Sequence, residues 1–326
     1  MTTSIQTESE TGTQAKTLSS TPQEELPFVS IAIITFNKKS TIEKCLTSLF
    51  SLDYPRSMYE VVVVDGGSTD GTLQLLRKFP VSIVTETQKC RGIARNDAVK
   101  NSEGEIVAFI DADCVATTSW LKDHVLIHKD AKVLAVGGSV LQGGDLSLPA
   151  QIYHDTYFAA QSPSVPHRMT WDLATCNASF KRIAFQTLGP FPEVDRGEDS
   201  LFCWRILRHG YLTVFDPSPR VIHLHERMTF RSVFRRIKEQ GRADREIQVA
   251  FGNRSPFRLP RSLSVAVVLA PSLLLARMVR YLTNISMGGS PKDATIRDAP
   301  VLFAASLFWT IGYLGSAFNA GAANER

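Results

Sequence analysis

A chain of 326 residues, 44% hydrophobic and 21% charged, can bury a sizeable core and is neither collagen-like nor wholly disordered. Its formal net charge of +4 is too small to argue for nucleic acid as a partner. The five cysteines are scattered and include no Cys-x-x-Cys pair, which favours a reducing compartment and offers no zinc site.

Residues 1–26 are rich in Thr, Ser, Gln and Glu and lack a basic n-region followed by an apolar core. They read as a disordered leader, not a secretory signal. Residues 28–36 (FVSIAIITF) predict a first strand ending at Asn37, and 40–52 a helix with Ile42, Cys45, Leu46 and Leu49 at helical spacing. Residues 59–64 (YEVVVV) predict a second buried strand, running into Asp65-Gly-Gly-Ser-Thr-Asp-Gly-Thr. A helix over 72–79, a strand over 81–85 and a helix over 93–101 carrying Arg95 follow.

Residues 106–110 (IVAFI) form an unbroken apolar run, read as a strand buried on both faces. Just past it stand Asp111 and Asp113, with only Ala112 between them. Two acids beside a buried strand cost desolvation unless something positive compensates. Carboxylates suit a hard divalent cation, which shares them with substrate phosphates. An isolated Asp-x-Asp is equally an ordinary solvated turn. The alternation of strand and helix predicts an α/β fold with a mostly parallel sheet flanked by helices. In such sheets ligands bind beyond the carboxyl ends of the strands. Asn37, Asp65, Asp111 and Asp113 all lie at such ends, so their convergence predicts a site in this half.

A helix over 120–129 and a strand over 133–140 come next, and residues 143–170, rich in Pro, Gly and Ser, are expected to form a mobile loop over the site. Glu198-Asp199 leads into a helix over 200–209, where two acids suit the helix dipole. Short strands are expected at 211–215 and 220–225, the second delivering His223 and His225.

Residues 227–261 are strongly basic, with Phe230, Val233, Phe234 and Ile237 at helical spacing. Such a helix is expected at an anionic membrane surface, a solvated basic helix being the ordinary alternative. Residues 263–276 and 300–317 are uncharged and apolar. The second is about long enough to cross a bilayer core of roughly 30 Å; the first, interrupted by Pro271, spans only if Arg277 and Arg280 snorkel or the helix extends towards Leu282. The preceding basic stretch predicts that the N-terminal domain lies on the cytoplasmic side of the cell membrane. Two hydrophobic helices packed in a soluble core are the alternative. The expected organisation is a leader (1–26), an α/β domain (27–225), an interfacial segment (226–261), two hydrophobic membrane-associated helices (262–320) and a tail (321–326).

Five pieces occur in order: the first strand with Thr35-Phe36-Asn37 at its end, VVVVDGGSTDGT (61–72), RGIARN (91–96), Asp-x-Asp at 111–113 after GEIVAFI, and GEDSLFCWRILRHGY (197–211). Together they resemble the family 2 glycosyltransferases of GT-A fold over about residues 28–245. Gly66-Gly67 departs from that pattern, which often has an acid or serine after the first Asp. The resemblance implies a nucleotide-sugar donor held by Thr35, Phe36, Asn37, Asp65, Arg95, Asp111 and Asp113. In it, Asp65 accepts the imino N–H of the base and Arg95 faces the diphosphate. It further implies Mn²⁺ or Mg²⁺ on Asp113 and His223, with His225 the lesser candidate, and Asp199 as general base of an inverting transfer. The hydrophobic segments and the basic helix, which would hold the site near the headgroups, favour a lipid-linked or glycan acceptor at the membrane. If the acceptor is a polyprenyl phosphate, Asp199 only positions it. A non-catalytic sugar-nucleotide or glycan-binding protein is a rival reading. A nucleotidyltransferase lacks support in a missing Gly-rich, Lys-containing phosphate loop, and Asp-Gly-Gly-Ser is not the dinucleotide fingerprint of an oxidoreductase.

Overall fold

The computed structural model describes residues 26–251, 259–287 and 292–315. The expected leader up to residue 25, the tail, and Arg254 and Arg258 of the basic stretch lie outside the described residues.

Strands β1 (Val29–Thr35), β2 (Tyr59–Asp65), β3 (Ser82–Thr85) and β4 (Ile106–Ile110) are parallel and lie side by side as β3-β2-β1-β4. They alternate with helices α1 (Ile42–Leu49), α2 (Thr72–Leu76) and α3 (Arg91–Lys100). The two-residue period of β1 decides which helix covers which face. Val29, Ile31 and Ile33 pack on Ile42, Cys45, Leu46 and Leu49 of α1. Ala32 turns the other way, towards Ala94 and Ala98 of α3.

The second half departs from the expected mostly parallel sheet. It contains β5 (Cys114–Ala116), α4 (Trp120–Ile127), β6 (Val133–Gly144), α5 (Leu148–Phe158), β7 (Arg168–Met169), β8 (Asn177–Lys181), α6 (Arg182–Leu188), α7 (Glu198–Arg208) and β9 (Leu212–His225). Strand β8 sits between β4 and β6, antiparallel to both, whereas β6 and β9 are parallel and β5 and β7 pair antiparallel with β9. The result is one mixed sheet of nine strands among the described residues. The two short strands expected near residues 211–225 are one strand, β9, which runs through Pro217 and Pro219. A register shift between Gly137 and Ser139 of β6 accommodates the prolines, which have no ladder N–H to give. The stretch expected as a mobile loop holds α5: β6 extends to Gly144, and Pro149 falls in the first turn of the helix, where its missing N–H is not needed.

The C-terminal helices are α8 (Phe230–Phe251), α9 (Leu263–Val268), α10 (Ala270–Met287) and α11 (Lys292–Gly315). Helix α8 is amphipathic, as expected, but its apolar face is already covered. Val233 and Ile237 are buried with Ile152, Tyr281, Leu302, Ala305, Trp309 and Tyr313. Helices α8 and α11 touch backbone to backbone: a Cβ added to Gly312 would lie 1.9 Å from the Lys238 carbonyl oxygen, and one on Gly241 2.0 Å from that of Trp309. Among the described residues no helix is long and apolar enough to cross a membrane. The first apolar run is divided at Leu269 and continues into a helix containing Arg277 and Arg280. The second belongs to a helix whose first turns hold Lys292, Asp293, Arg297 and Asp298.

Candidate active site

Parallel register sets Thr35 opposite Asp65, so β1 and β2 open onto one rim. Beyond β1, Phe36 is 54% exposed. Asn37 takes a left-handed conformation (φ 51°), which Asn tolerates better than most residues. Its Oδ1 accepts the Thr69 N–H at 2.9 Å and its own N–H donates to Ser68 Oγ at 2.8 Å, strapping the two loops together. Asp65 is buried. Its Oδ2 accepts the N–H groups of Gly67 and Ser68 at 2.9 and 2.8 Å, while Oδ1 is buried without a partner among the described residues. A bare buried carboxylate oxygen is costly, and this one can accept an N–H from a bound heterocycle.

At the end of β4, Asp113 Oδ2 lies 2.8 Å from Lys38 Nζ and Oδ1 lies 3.6 Å from His223 Nε2. His223 reaches it because β5 and β9 pair antiparallel with Cys114 opposite His223. Burial pushes the Asp113 carboxyl upwards, but His223 and Lys38 outweigh it and hold the group below the usual carboxylate range. Asp111 moves the other way: burial, then the Asp113 charge, raise it, and Arg95, His223 and Arg91 offset this only in part. Asp113 is therefore the carboxylate held ionised, and Asp111 the one that keeps its proton more readily.

Ligating atoms of Asp113, Cys114 and His223 lie within 4.8 Å of one another. Burial and a bond to Cys176 push the Cys114 thiol well above its ordinary range, so it stays protonated and is a poor ligand. The useful donors are one carboxylate and one imidazole. His223 Nδ1 is buried without a partner among the described residues. A carboxylate held ionised, beside an imidazole, fits Mg²⁺ or Mn²⁺ completed by phosphate oxygens. His225 is buried, stacked on His223 at 4.5 Å and bonded to His154 at 3.1 Å, so it packs against the site.

Helix α7 begins at a left-handed Gly197 (φ 76°). Glu198 turns inward and pairs with the buried guanidinium of Arg95. Asp199 is held at both oxygens: Oδ1 accepts the Ser200 N–H at 2.8 Å, and Oδ2 accepts the N–H and hydroxyl of Thr175, each at 3.3 Å.

A cleft of about 750 Å³ gathers Thr35, Phe36, Arg95, Asp111, Asp113, Asp199 and His223 in its lining. Asn37 and Asp65 stand beside it, next to the lining residues Phe36, Lys38 and Gly66. Arg95 reaches the cleft already engaged with Glu198. Arg91, one turn earlier on α3, lines the same cleft, is exposed and makes no ion pair among the described residues. Sequence reasoning missed Lys38, whose signal is the cation following Asn37. It also missed Tyr153 and Tyr157 of α5, Arg236 and Gln240 of α8, and Arg277 and Arg280 of α10 as cleft residues.

Residues 30–189 match the family model described as Glycosyl transferase family 2. The chain is 30% identical over 251 residues to glycosyltransferase AglE of Haloferax volcanii, covering 74% of this chain and 81% of that one. The chain belongs to glycosyl transferase family 2. It is also 30% identical over 125 residues to a dolichyl N-acetyl-α-D-glucosaminyl phosphate 3-β-D-2,3-diacetamido-2,3-dideoxy-β-D-glucuronosyltransferase of Methanococcus voltae, covering 35% of this chain and 39% of that one. Among solved structures, the mannosyltransferase PcManGT of Pyrobaculum calidifontis, in complex with GDP-Man and Mn²⁺, shares the fold with a TM-score of 0.62 at 22% identity, over 91% of this chain and 88% of that one. This family 2 enzyme thus has an α/β GT-A-like fold and is a glycosyltransferase drawing on a nucleotide-sugar donor. The nucleotidyltransferase, oxidoreductase and non-catalytic readings fall with that assignment.

Proposed function

We propose that this glycosyltransferase is inverting and depends on Mn²⁺ or Mg²⁺, transferring a sugar to a lipid-linked or glycan acceptor at the cytoplasmic face of a membrane. The observation that carries this reading is the meeting of Asp199, oriented through both its oxygens, with the Asp113–His223 pair in one cleft. Thr35, Phe36, Asn37 and Asp65 would form the nucleotide end, with the bare Oδ1 of Asp65 accepting the imino N–H of the base. Lys38, Arg91 and Arg95 would face the diphosphate, and Asp111 the ribose or the cation. Asp113 and His223 would hold the divalent cation, which when bound neutralises the negative charge that builds on the leaving diphosphate. Asp199 removes the proton of the accepting hydroxyl as its oxygen attacks the anomeric carbon. Attack from the face opposite the departing nucleoside diphosphate inverts that carbon.

A lipid-linked acceptor is supported by the Methanococcus voltae relative, named for a dolichyl-linked sugar phosphate. Contact with a membrane is supported by exposed apolar residues on the C-terminal helices: Leu275 and Val279 on α10, and Phe303, Leu307 and Ile311 on α11. Their four-residue spacing makes one stripe on each helix, suited to shallow interfacial insertion rather than spanning.

Asp199→Asn tests the mechanism. With a hydroxyl acceptor, transfer is expected to fall about 10²- to 10⁴-fold while nucleotide binding is retained. Full activity on a hydroxyl acceptor would refute the base assignment. A small loss on a prenyl phosphate acceptor would instead favour the reading in which Asp199 positions an oxygen that is already ionised.

A further inference from the structure

The cations on the wall of the cleft built by the C-terminal helices are in excess of what the donor site uses. Arg277 lies between two aromatic rings, its guanidinium carbon 4.8 Å from the Tyr281 centroid and 4.9 Å from that of Trp309. A stacked guanidinium keeps its in-plane N–H groups available for a planar or tetrahedral anion. Its Nε is buried and has no hydrogen-bond partner among the described residues. Arg236, exposed, reaches the same cleft from α8 with its guanidinium 5.4 Å from the Tyr153 ring. Neither arginine forms an ion pair with a carboxylate among the described residues. The acid nearest in influence, Asp244, has its oxygens occupied by Gln240 at 2.7 Å and Trp309 Nε1 at 2.8 Å. Burial alone would lower Arg277, but Tyr281 and Asp244 raise it, so it stays charged. Arg280, three residues on, lines the cleft while bonded to Asp172 at 3.2 Å.

Packing alone accounts for part of this, since the ring sandwich also ties α10 to α11. It does not account for the bare Nε, and Arg236, exposed and resting on the Tyr153 ring, has no carboxylate partner among the described residues. Two guanidinium groups without a direct carboxylate partner among the described residues, with a third alongside, match the charge and fork geometry of a phosphate better than that of a single carboxylate. On the reading proposed above, the diphosphate of the donor would be met elsewhere in the cleft, by the residues around Asp113.

We propose that Arg236 and Arg277, with Arg280 beside them, form a subsite for a phosphate or diphosphate group carried by the acceptor. The inference rests on the reading of the cleft as a donor site joined to Asp199, and it names the chemical class of the second substrate.

Calorimetric titration of the full chain tests it, with farnesyl phosphate, farnesol and N-acetylglucosamine 1-phosphate as probes. GDP and UDP, each with Mn²⁺, report separately on the donor end. Farnesyl phosphate is expected to bind at least about tenfold more tightly than farnesol, and Arg277→Gln or Arg236→Gln to remove most of that preference. Arg277→Lys, which keeps charge but not the fork, should retain part of it. Nucleotide affinity should stay within about twofold of wild type throughout. If N-acetylglucosamine 1-phosphate binds as tightly as farnesyl phosphate and is equally sensitive to Arg236→Gln, the subsite is confirmed and its phosphate belongs to a glycan rather than a lipid. Should Arg277 variants fail to fold, Arg236→Gln decides the matter alone. Equal binding of farnesyl phosphate and farnesol with no binding of the sugar phosphate, or a phosphate preference that survives Arg236→Gln, overturns the proposal while nucleotide still binds. A wild-type chain that binds neither nucleotide overturns the donor-site reading and this inference with it.

Discussion

Replacing Gly312 with alanine tests whether the C-terminal helices belong to the catalytic unit. The new Cβ would stand 1.9 Å from the Lys238 carbonyl oxygen and 3.1 Å from its Cα. That is about 1.5 Å short of the 3.4 Å at which ordinary contact begins, and backbone cannot swing aside as a side-chain tip can. Helices α8 and α11 must therefore separate. Overpacking of this kind costs roughly 1–3 kcal/mol, and the better helix propensity of alanine returns up to about 1 kcal/mol. A net loss on the order of 1–2 kcal/mol lowers the melting temperature by a few degrees. The effect on catalysis should be larger than that on stability. Helix α8 carries Arg236, Gln240 and Asp244 into the cleft, and a displacement of about 1 Å can cost on the order of 10²-fold in rate. The expected outcome is a transfer rate down by about tenfold or more with nucleoside diphosphate affinity unchanged. Gly315→Ala, on the same helix but with nothing within 4 Å of the added carbon, is the control and should alter neither. If Gly312→Ala behaves like Gly315→Ala in melting and in transfer, these helices do not shape the acceptor side.

Acid should destabilise the enzyme through two histidines far from the chemistry. His124 and His128 are buried and both bond Ser179 Oγ, at 2.9 and 2.8 Å, and burial pushes them down to about 4 and about 3. Because these values are lowered, the neutral rings stabilise the fold fully above the ordinary histidine value near 6.5, and the unfolded chain takes up protons first as pH falls. The loss is about 1.4 kcal/mol per pH unit for each ring, roughly 3 kcal/mol apiece by pH 4. Urea midpoints should fall steeply between pH 6.5 and 4, less so in His128→Gln; a flat profile would contradict the assignment. The full chain should also float with vesicles containing phosphatidylserine, and Val279→Asp combined with Leu307→Asp should abolish flotation without lowering the melting temperature by more than a degree or so, both residues being exposed. Flotation that survives both charges would remove the membrane from the proposal.

The half of the chain that was legible in advance is the half governed by local pattern. Strands β1, β2 and β4 are apolar runs ending in Asn37, Asp65 and Asp111, and the parallel order follows from the helices between them. Beyond residue 113 the deciding interactions are long-range. Nothing local reveals that β8 runs against β4 and β6, or that β9 continues through Pro217 and Pro219 because β6 shifts register to receive it. The Pro and Ser near 147–149 signal a helix start as readily as a loop, and tertiary packing chose the helix. Arg277 and Arg280 were read as side chains escaping a bilayer. The fold turns them into the cleft, because the stripe formed by Leu273, Arg277 and Tyr281 is the one facing the protein. Helix dipole and motif give no partner for Glu198, since Arg95 is 103 positions away.

Asp113 and His223 become neighbours only when β9 zips against β5. Residues 30–189, which suffice for kinship to be detected, include neither that histidine nor Asp199 nor any of the arginines on the helical wall. If Asp199 and His223 carry the roles proposed, a copy halted on the ribosome or clipped by a protease before that strand would still look like kin, yet it would lack the means to spend an activated sugar. On that reading, competence arrives late in synthesis.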